Sequence, residues 1–228
     1  AEEAIRSFND KIYFAVYYQS QEEVQRDLLE GQAVLKKLRQ RVRKEDLLKT
    51  FSYNFPEELN KKEGIHKLTK DALFDPMVRE RKLRILIVIA GEGPRANGMP
   101  EMFYPSEYLN RDVLLRYIAV LFTDGRYSGA TYGPCIGHCC PEAFEGGGIG
   151  AIETGDWIYL NFDRGEIYLL DREKLLKRKE IGYPFFVMKE KEILSRPWIG
   201  KRIKKMEARR KNLTPWAIGL SLIHISEP

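Results

Sequence analysis

Residues 84–90, RILIVIA, constrain the fold of this chain more than any other stretch. The run is apolar and β-branched with no polar alternation, the pattern of a strand buried in a core. Its six apolar residues fall far short of the roughly 20 that a membrane span requires, so no membrane partner is expected. Glycines crowd in directly after it, at Gly91, Gly93 and Gly98, and recur as far as Gly165. Such density between strands marks loops where backbone approaches a ligand. A second buried strand is expected over residues 118–122, running into Thr123, Asp124 and Gly125. Residues 157–160 and 166–170 are expected to pair as a hairpin across Asp163, Arg164 and Gly165.

An earlier apolar stretch, residues 12–18, reads as a strand. Ser20 with Glu23 three positions on has the form of a capping box ahead of Val24, Leu28 and Leu29, so a helix should follow and end at Gly31. Leu35, Leu38 and Val42 then recur among basic residues as one face of an amphipathic helix. The expected plan is a first strand and helix over 1–31, a basic helical insertion over 32–83 and a core with active-site loops over 84–180. A basic helical tail follows over 181–219, after a helix capped by Asp171. Residues 220–228, LSLIHISEP, resemble the translation of a transposon-type sequencing adaptor and are set aside, so the chain is expected to be a fragment. The 228 residues suffice for one large α/β domain flanked by helices.

The net charge of +5 and the isoelectric point near 9.0 suggest a nucleic-acid partner. The distribution argues otherwise. Residues 32–83 carry 14 basic and 8 acidic groups and residues 171–212 carry 15 and 6, whereas residues 84–170 carry 6 basic and 11 acidic. The basic segments have few interleaved aromatics beyond Trp198 and Trp216, so they read as solvated helix faces. A nucleic-acid-binding module stays open as an alternative.

The three cysteines all lie between Cys135 and Cys140, which is no disulfide framework, and a reducing, cytoplasmic setting is expected. Adjacent Cys139 and Cys140 are poorly placed to ligate one tetrahedral ion, and no second pair exists. They read as small buried hydrophobes beside a structural His138. Gly91-Glu-Gly93 invites a dinucleotide fingerprint, but position 96 is Ala and no helical pattern opens there.

The strongest chemical signal is the loop after the second strand. Asp124, Arg126 and Ser128 stand there between Gly125 and Gly129, exposing a hydroxyl with a guanidinium two residues away. The residues alone read as a nucleophilic or general-base serine beside an anion site. It is not the hydrolase elbow, because position 126 is Arg. A serine hydrolase pairing Ser128 with His138 remains an alternative.

Thr123 to Thr131 (TDGRYSGAT), with GPCIGHCCPEAFEGGGIGAIETGDWIYLNF from Gly133 onward, resembles the C-terminal signature of the dihydroxy-acid and phosphogluconate dehydratase family. Glu92-Gly-Pro94, Gly98-Met-Pro-Glu-Met102 and Pro105 resemble that family's upstream segment. The likeness is close over 84–180 and looser over 12–31. It implies a β-barrel-like C-terminal domain of an enzyme that dehydrates a 2,3-dihydroxy acid, a branched-chain precursor or a sugar acid, to a 2-keto acid. It implies an iron–sulfur cluster and a Mg²⁺ ion as cofactors, and a homo-oligomer when full length. Ser128 would be the base that takes the C2 proton and Glu101 a Mg²⁺ ligand, a hard oxygen for a hard ion. Asp124, Arg126, Gly129 and Thr131 would shape the substrate loop. The family's cluster ligands lie in an N-terminal domain, so no cluster role passes to Cys135, Cys139 or Cys140. Ala130, Tyr132 and Cys139-Cys140 depart from the family's usual Gly, Arg and Val-Ser, which bears on substrate identity.

Overall fold

A computed structural model describes residues 6–30, 32–59, 64–170 and 196–212. Within them the chain forms a mixed α/β unit around a six-stranded sheet in the order β4-β3-β2-β1-β5-β6, curled into a half-barrel. The strands are β1 (Lys11–Tyr18), β2 (Ile85–Ile89), β3 (Ala119–Thr123), β4 (Cys135–Ile136), β5 (Trp157–Asn161) and β6 (Glu166–Leu169). The first four run parallel, and β5 and β6 run antiparallel to their neighbours. The three strands and the hairpin read from the sequence are present within a residue or two at each end, whereas the two-residue β4 was not expected. Gly31, Asp171 and residues 220–228 lie outside the described residues.

Strand side chains alternate between two faces, and both faces are covered. Ile12, Phe14, Val16, Tyr18, Ile85, Ile87, Ile89 and Leu121 pack beneath helices, whereas Tyr13, Ala15, Leu86, Val88, Val120 and Phe122 face the glycine-rich loops and the last helix. This double burial explains why β2 reads ILIVI with no polar break.

The helices follow in chain order: α1 (Gln21–Leu29), α2 (Ala33–Arg39), α3 (Lys44–Asn54), α4 (Pro56–Leu59), α5 (Lys70–Arg79), α6 (Pro94–Asn97), α7 (Phe103–Arg111) and α8 (Ile199–Arg210). Ser20 caps α1 by accepting from the Glu23 N–H at 3.4 Å. The reciprocal arm of the expected box goes one residue further back, because Glu23 accepts from the Gln19 N–H. Helices α1 to α5 make the crossover from β1 to β2, and α2, α3 and α5 carry core residues: Val34, Leu38, Leu47, Phe51, Phe74 and Met77 are buried. Asn54 closes the layer by exchanging hydrogen bonds of 2.8 Å with the Ile12 backbone. Among the described basic groups of this segment Arg41 and Arg43 are exposed, whereas Lys37 and Arg39 lie over the Tyr18 and Phe74 rings.

Helix α8 covers the opposite face. Its Met206 is buried, while Arg202 donates to the Gly150 and Ile152 carbonyls and Arg209 to those of Gln19 and Gly91. These guanidinium groups are turned inward on backbone oxygens.

Candidate active site at the strand carboxyl ends

In parallel sheets the carboxyl ends of the strands present loops whose backbone donors are free to be rearranged, and ligands bind there. Three glycine-rich loops converge at that edge: residues 90–101 after β2, 124–134 after β3 and 137–151 after β4. Asp124, only 1% exposed, stands between them. Its carboxylate accepts the N–H groups of Gly91 at 3.0 Å, Glu92 at 2.9 Å and Ala143 at 2.9 Å. Burial pushes its pKa up and those amides pull it back.

Two further buried carboxylates repeat the pattern. Glu92 accepts from the Gln21 N–H at 2.8 Å, from the Asn97 side chain and from Arg209 at 3.4 Å. Burial raises its pKa to about 7, against the pull of Arg209. Glu142 accepts the Arg95 N–H at 3.0 Å, and burial raises it to about 7 as well. These three acids hold loops by their backbones.

The residues singled out in the sequence divide into three groups. Asp124 is buried in the scaffold. Glu101 and Arg126 come together at the surface: their backbones form an isolated parallel bridge, their side chains pair at 3.3 Å, and each side chain is 42–43% exposed. The Arg126 Nε also donates to the Met99 carbonyl at 3.1 Å. Ser128 follows in a tight turn, its Oγ accepting the Ala130 N–H at 3.1 Å and its carbonyl accepting the Thr131 N–H at 3.0 Å. Gly129 is exposed, with open space where a β-carbon would stand, so no close contact demands glycine there. Among the described residues the buried Thr131 hydroxyl has no hydrogen-bond partner.

His138 is exposed, and its backbone N–H donates to the Gly125 carbonyl. Among the described residues no hydrogen bond joins it to Ser128, so the serine hydrolase alternative gains nothing from the geometry.

The chemistry of the donor set bears on metals. Burial pushes the Cys135 and Cys139 thiols up to about 12, so at neutral pH and without a metal they are protonated. Glu101 offers one hard carboxylate oxygen, but its charge is matched by Arg126. Among the described residues no group of three His, Cys, Asp or Glu side chains is arranged for an ion. Taken alone, these residues complete neither a cluster site nor a Mg²⁺ site.

Glu92, Glu142 and Arg209 were not among the residues expected to form the site. Glu92 and Glu142 sit within the quoted glycine-rich motifs, and that position was their only signal. Nothing in a lysine- and arginine-rich helix distinguishes Arg209, whose inward direction is a tertiary fact.

Residues 60–210 match the family described as dihydroxy-acid/6-phosphogluconate dehydratase C-terminal. The match takes in all three loops and α8. Dihydroxy-acid dehydratase 1 of Methanosarcina acetivorans is 39% identical over 122 residues, 53% of this chain and 22% of that protein. The chain therefore matches only about a fifth of the length of that curated relative.

Proposed function

The chain belongs to the dihydroxy-acid/6-phosphogluconate dehydratase C-terminal family, and from that premise we propose that it is the C-terminal part of a hydro-lyase. The substrate class is a 2,3-dihydroxy acid, a branched-chain precursor or a sugar acid, and the product is the 2-keto acid. The observation that carries this reading is the family match spanning every residue of the Glu101–Arg126 bridge and the Ser128 turn.

In the proposed reaction the Ser128 alkoxide takes the proton from C2, the C2–H electron pair forms the C2–C3 double bond, and the C3–O bond breaks with its pair on the departing hydroxide, which leaves as water once the proton held by Ser128 is passed to it. The resulting enol tautomerises to the keto acid. An unaided hydroxyl is a poor base, so its alkoxide must be stabilised. The Ala130 N–H already donates to Oγ and supplies part of that polarity. Arg126, tied to Glu101 and to the Met99 carbonyl, holds the turn against the 98–102 segment. An iron–sulfur cluster and Mg²⁺ belong to the proposal for the full-length enzyme, and no step is assigned to them on this chain. A cytoplasmic homo-oligomer acting on a small acid completes the reading.

The test is turnover. The full-length protein is incubated with 2,3-dihydroxy acids of both classes, and the keto product is trapped as its dinitrophenylhydrazone. Formation of a 2-keto acid from one class supports the assignment, and its absence with every dihydroxy acid removes it.

A further inference from the structure

We infer that Asp124 is a positioning residue of this site, acting on its loops through backbone amides and not on the substrate; the inference rests on the dehydratase reading above. One Asp124 oxygen accepts from Gly91 and Ala143, and the other accepts from Glu92. The carboxylate thus ties the loop after β3 to the loops after β2 and β4. At 1% exposure it has no surface left for a ligand.

The neighbouring residues extend this hold to the proposed chemistry. A β-carbon at Gly125 would lie 3.1 Å from the Glu92 Cβ and 3.2 Å from the Met102 Cε, so the chain passes tightly between those two segments. At the next residue, the Arg126 carbonyl accepts the Met102 N–H at 2.7 Å and the Arg126 side chain reaches Glu101. Ser128 stands two residues beyond. Asp124 is therefore the buried end of a short path whose exposed end carries the proposed base.

Asparagine cannot reproduce this arrangement. With its amide oxygen toward Gly91 and Ala143, its NH₂ would face the Glu92 N–H, donor against donor; the reverse orientation is worse by one donor. Ala143→Pro removes one donor while leaving the carboxylate intact. Position 143 opens a 3₁₀ turn and Glu142 already has the φ of −66° and ψ of 160° suited to precede proline, but the ring carbon that replaces the N–H points at the Asp124 oxygen, so the substitution breaks this arm of the hold outright.

Two readouts test the inference. In the full-length protein, Asp124→Asn should speed amide exchange at Gly91, Glu92 and Ala143 by about tenfold or more while the Ile87 and Val88 amides stay unchanged. In the full-length enzyme, both Asp124→Asn and Ala143→Pro should lower kcat by roughly tenfold or more with KM within about threefold. A raised KM with unchanged exchange would make Asp124 a substrate contact and overturn the inference. Exchange accelerated evenly through the strands would make it a residue of the fold alone, with the same result. Should Asp124→Asn fail to fold, Ala143→Pro decides, and an unchanged kcat in that variant overturns the inference. If the wild-type enzyme dehydrates nothing, the proposed function fails by itself, and the exchange pattern still reports whether Asp124 holds the loops.

Discussion

The Glu142 carboxylate occupies the space that a β-carbon on Gly93 would need. The two would overlap outright, with the Glu142 Cδ only 2.6 Å from that position. Gly93 has ordinary backbone angles, φ −66° and ψ 172°, so this glycine is required by contact and not by conformation. Glu142 cannot simply swing away, because it accepts the Arg95 N–H.

Gly93→Ala should therefore destabilise the chain by about 2–4 kcal/mol, as overpacking at a fixed contact does. The double change Gly93→Ala with Glu142→Gly should lose less than the sum of the two single changes. Thermal melting of the four proteins measures the coupling. Strict additivity would show that the two residues do not compete for space.

Glu92 and Arg209 make stability depend on pH. The carboxyl titrates near 7 in the folded chain and near 4.5 when unfolded, so the native state holds the extra proton between those values. Stability contributed by this group falls as pH rises from about 4.5 to 7. Arg209→Met removes the cation that opposes the upward shift. The variant should lose more stability at pH 8, where Glu92 is ionised in the native protein and the ion pair is forfeited, than at pH 5, where the carboxyl is already protonated. Melting curves at both values decide it; equal losses would mean that Arg209 acts through the Gln19 and Gly91 carbonyls alone.

Leu38→Ala tests what residues 32–83 do. Leu38 is fully buried against the sheet, so the change should cost about 2–5 kcal/mol in chemical denaturation. A loss below about 1 kcal/mol would fit a detachable insertion instead.

The cysteines should differ in reactivity. Cys140 is exposed, whereas Cys135 and Cys139 are half-buried with thiols raised by burial. Iodoacetamide at pH 8 should label Cys140 first and the other two at least about tenfold more slowly. Peptide mapping over time would read the order, and equal rates would contradict the burial of Cys135 and Cys139.

The strands were legible because burial on both faces leaves unbroken apolar runs, as in β2, and because the turn at Gly165 carries its own chemistry. Residues 32–83 were harder to read. Their abundant charges obscure the apolar positions at Val34, Leu47 and Phe74 that complete the core. Neither α6 nor α7 was read: a short helix does open at Pro94, where no helical pattern was expected, and in α7 Pro105 stands in the first turn and Met102 precedes it without a side-chain cap. At the site, the motif pointed to Ser128, Arg126 and Glu101, and the last two do meet. The role of Asp124 as acceptor for three amides could not be read locally, because Gly91 and Ala143 lie 33 and 19 residues away. Arg209 is further still, 117 residues from Glu92.

The most direct test concerns Ser128. In the full-length protein, Ser128→Ala should lower turnover of the dihydroxy acid by a factor of roughly 10²–10⁴, the range for loss of a general base, with the melting temperature unchanged. Among the described residues the Ser128 Oγ bonds only to Ala130 in its own turn, so its removal should leave the fold intact. Turnover within a fewfold of wild type in a folded Ser128→Ala protein would contradict Ser128 as the base.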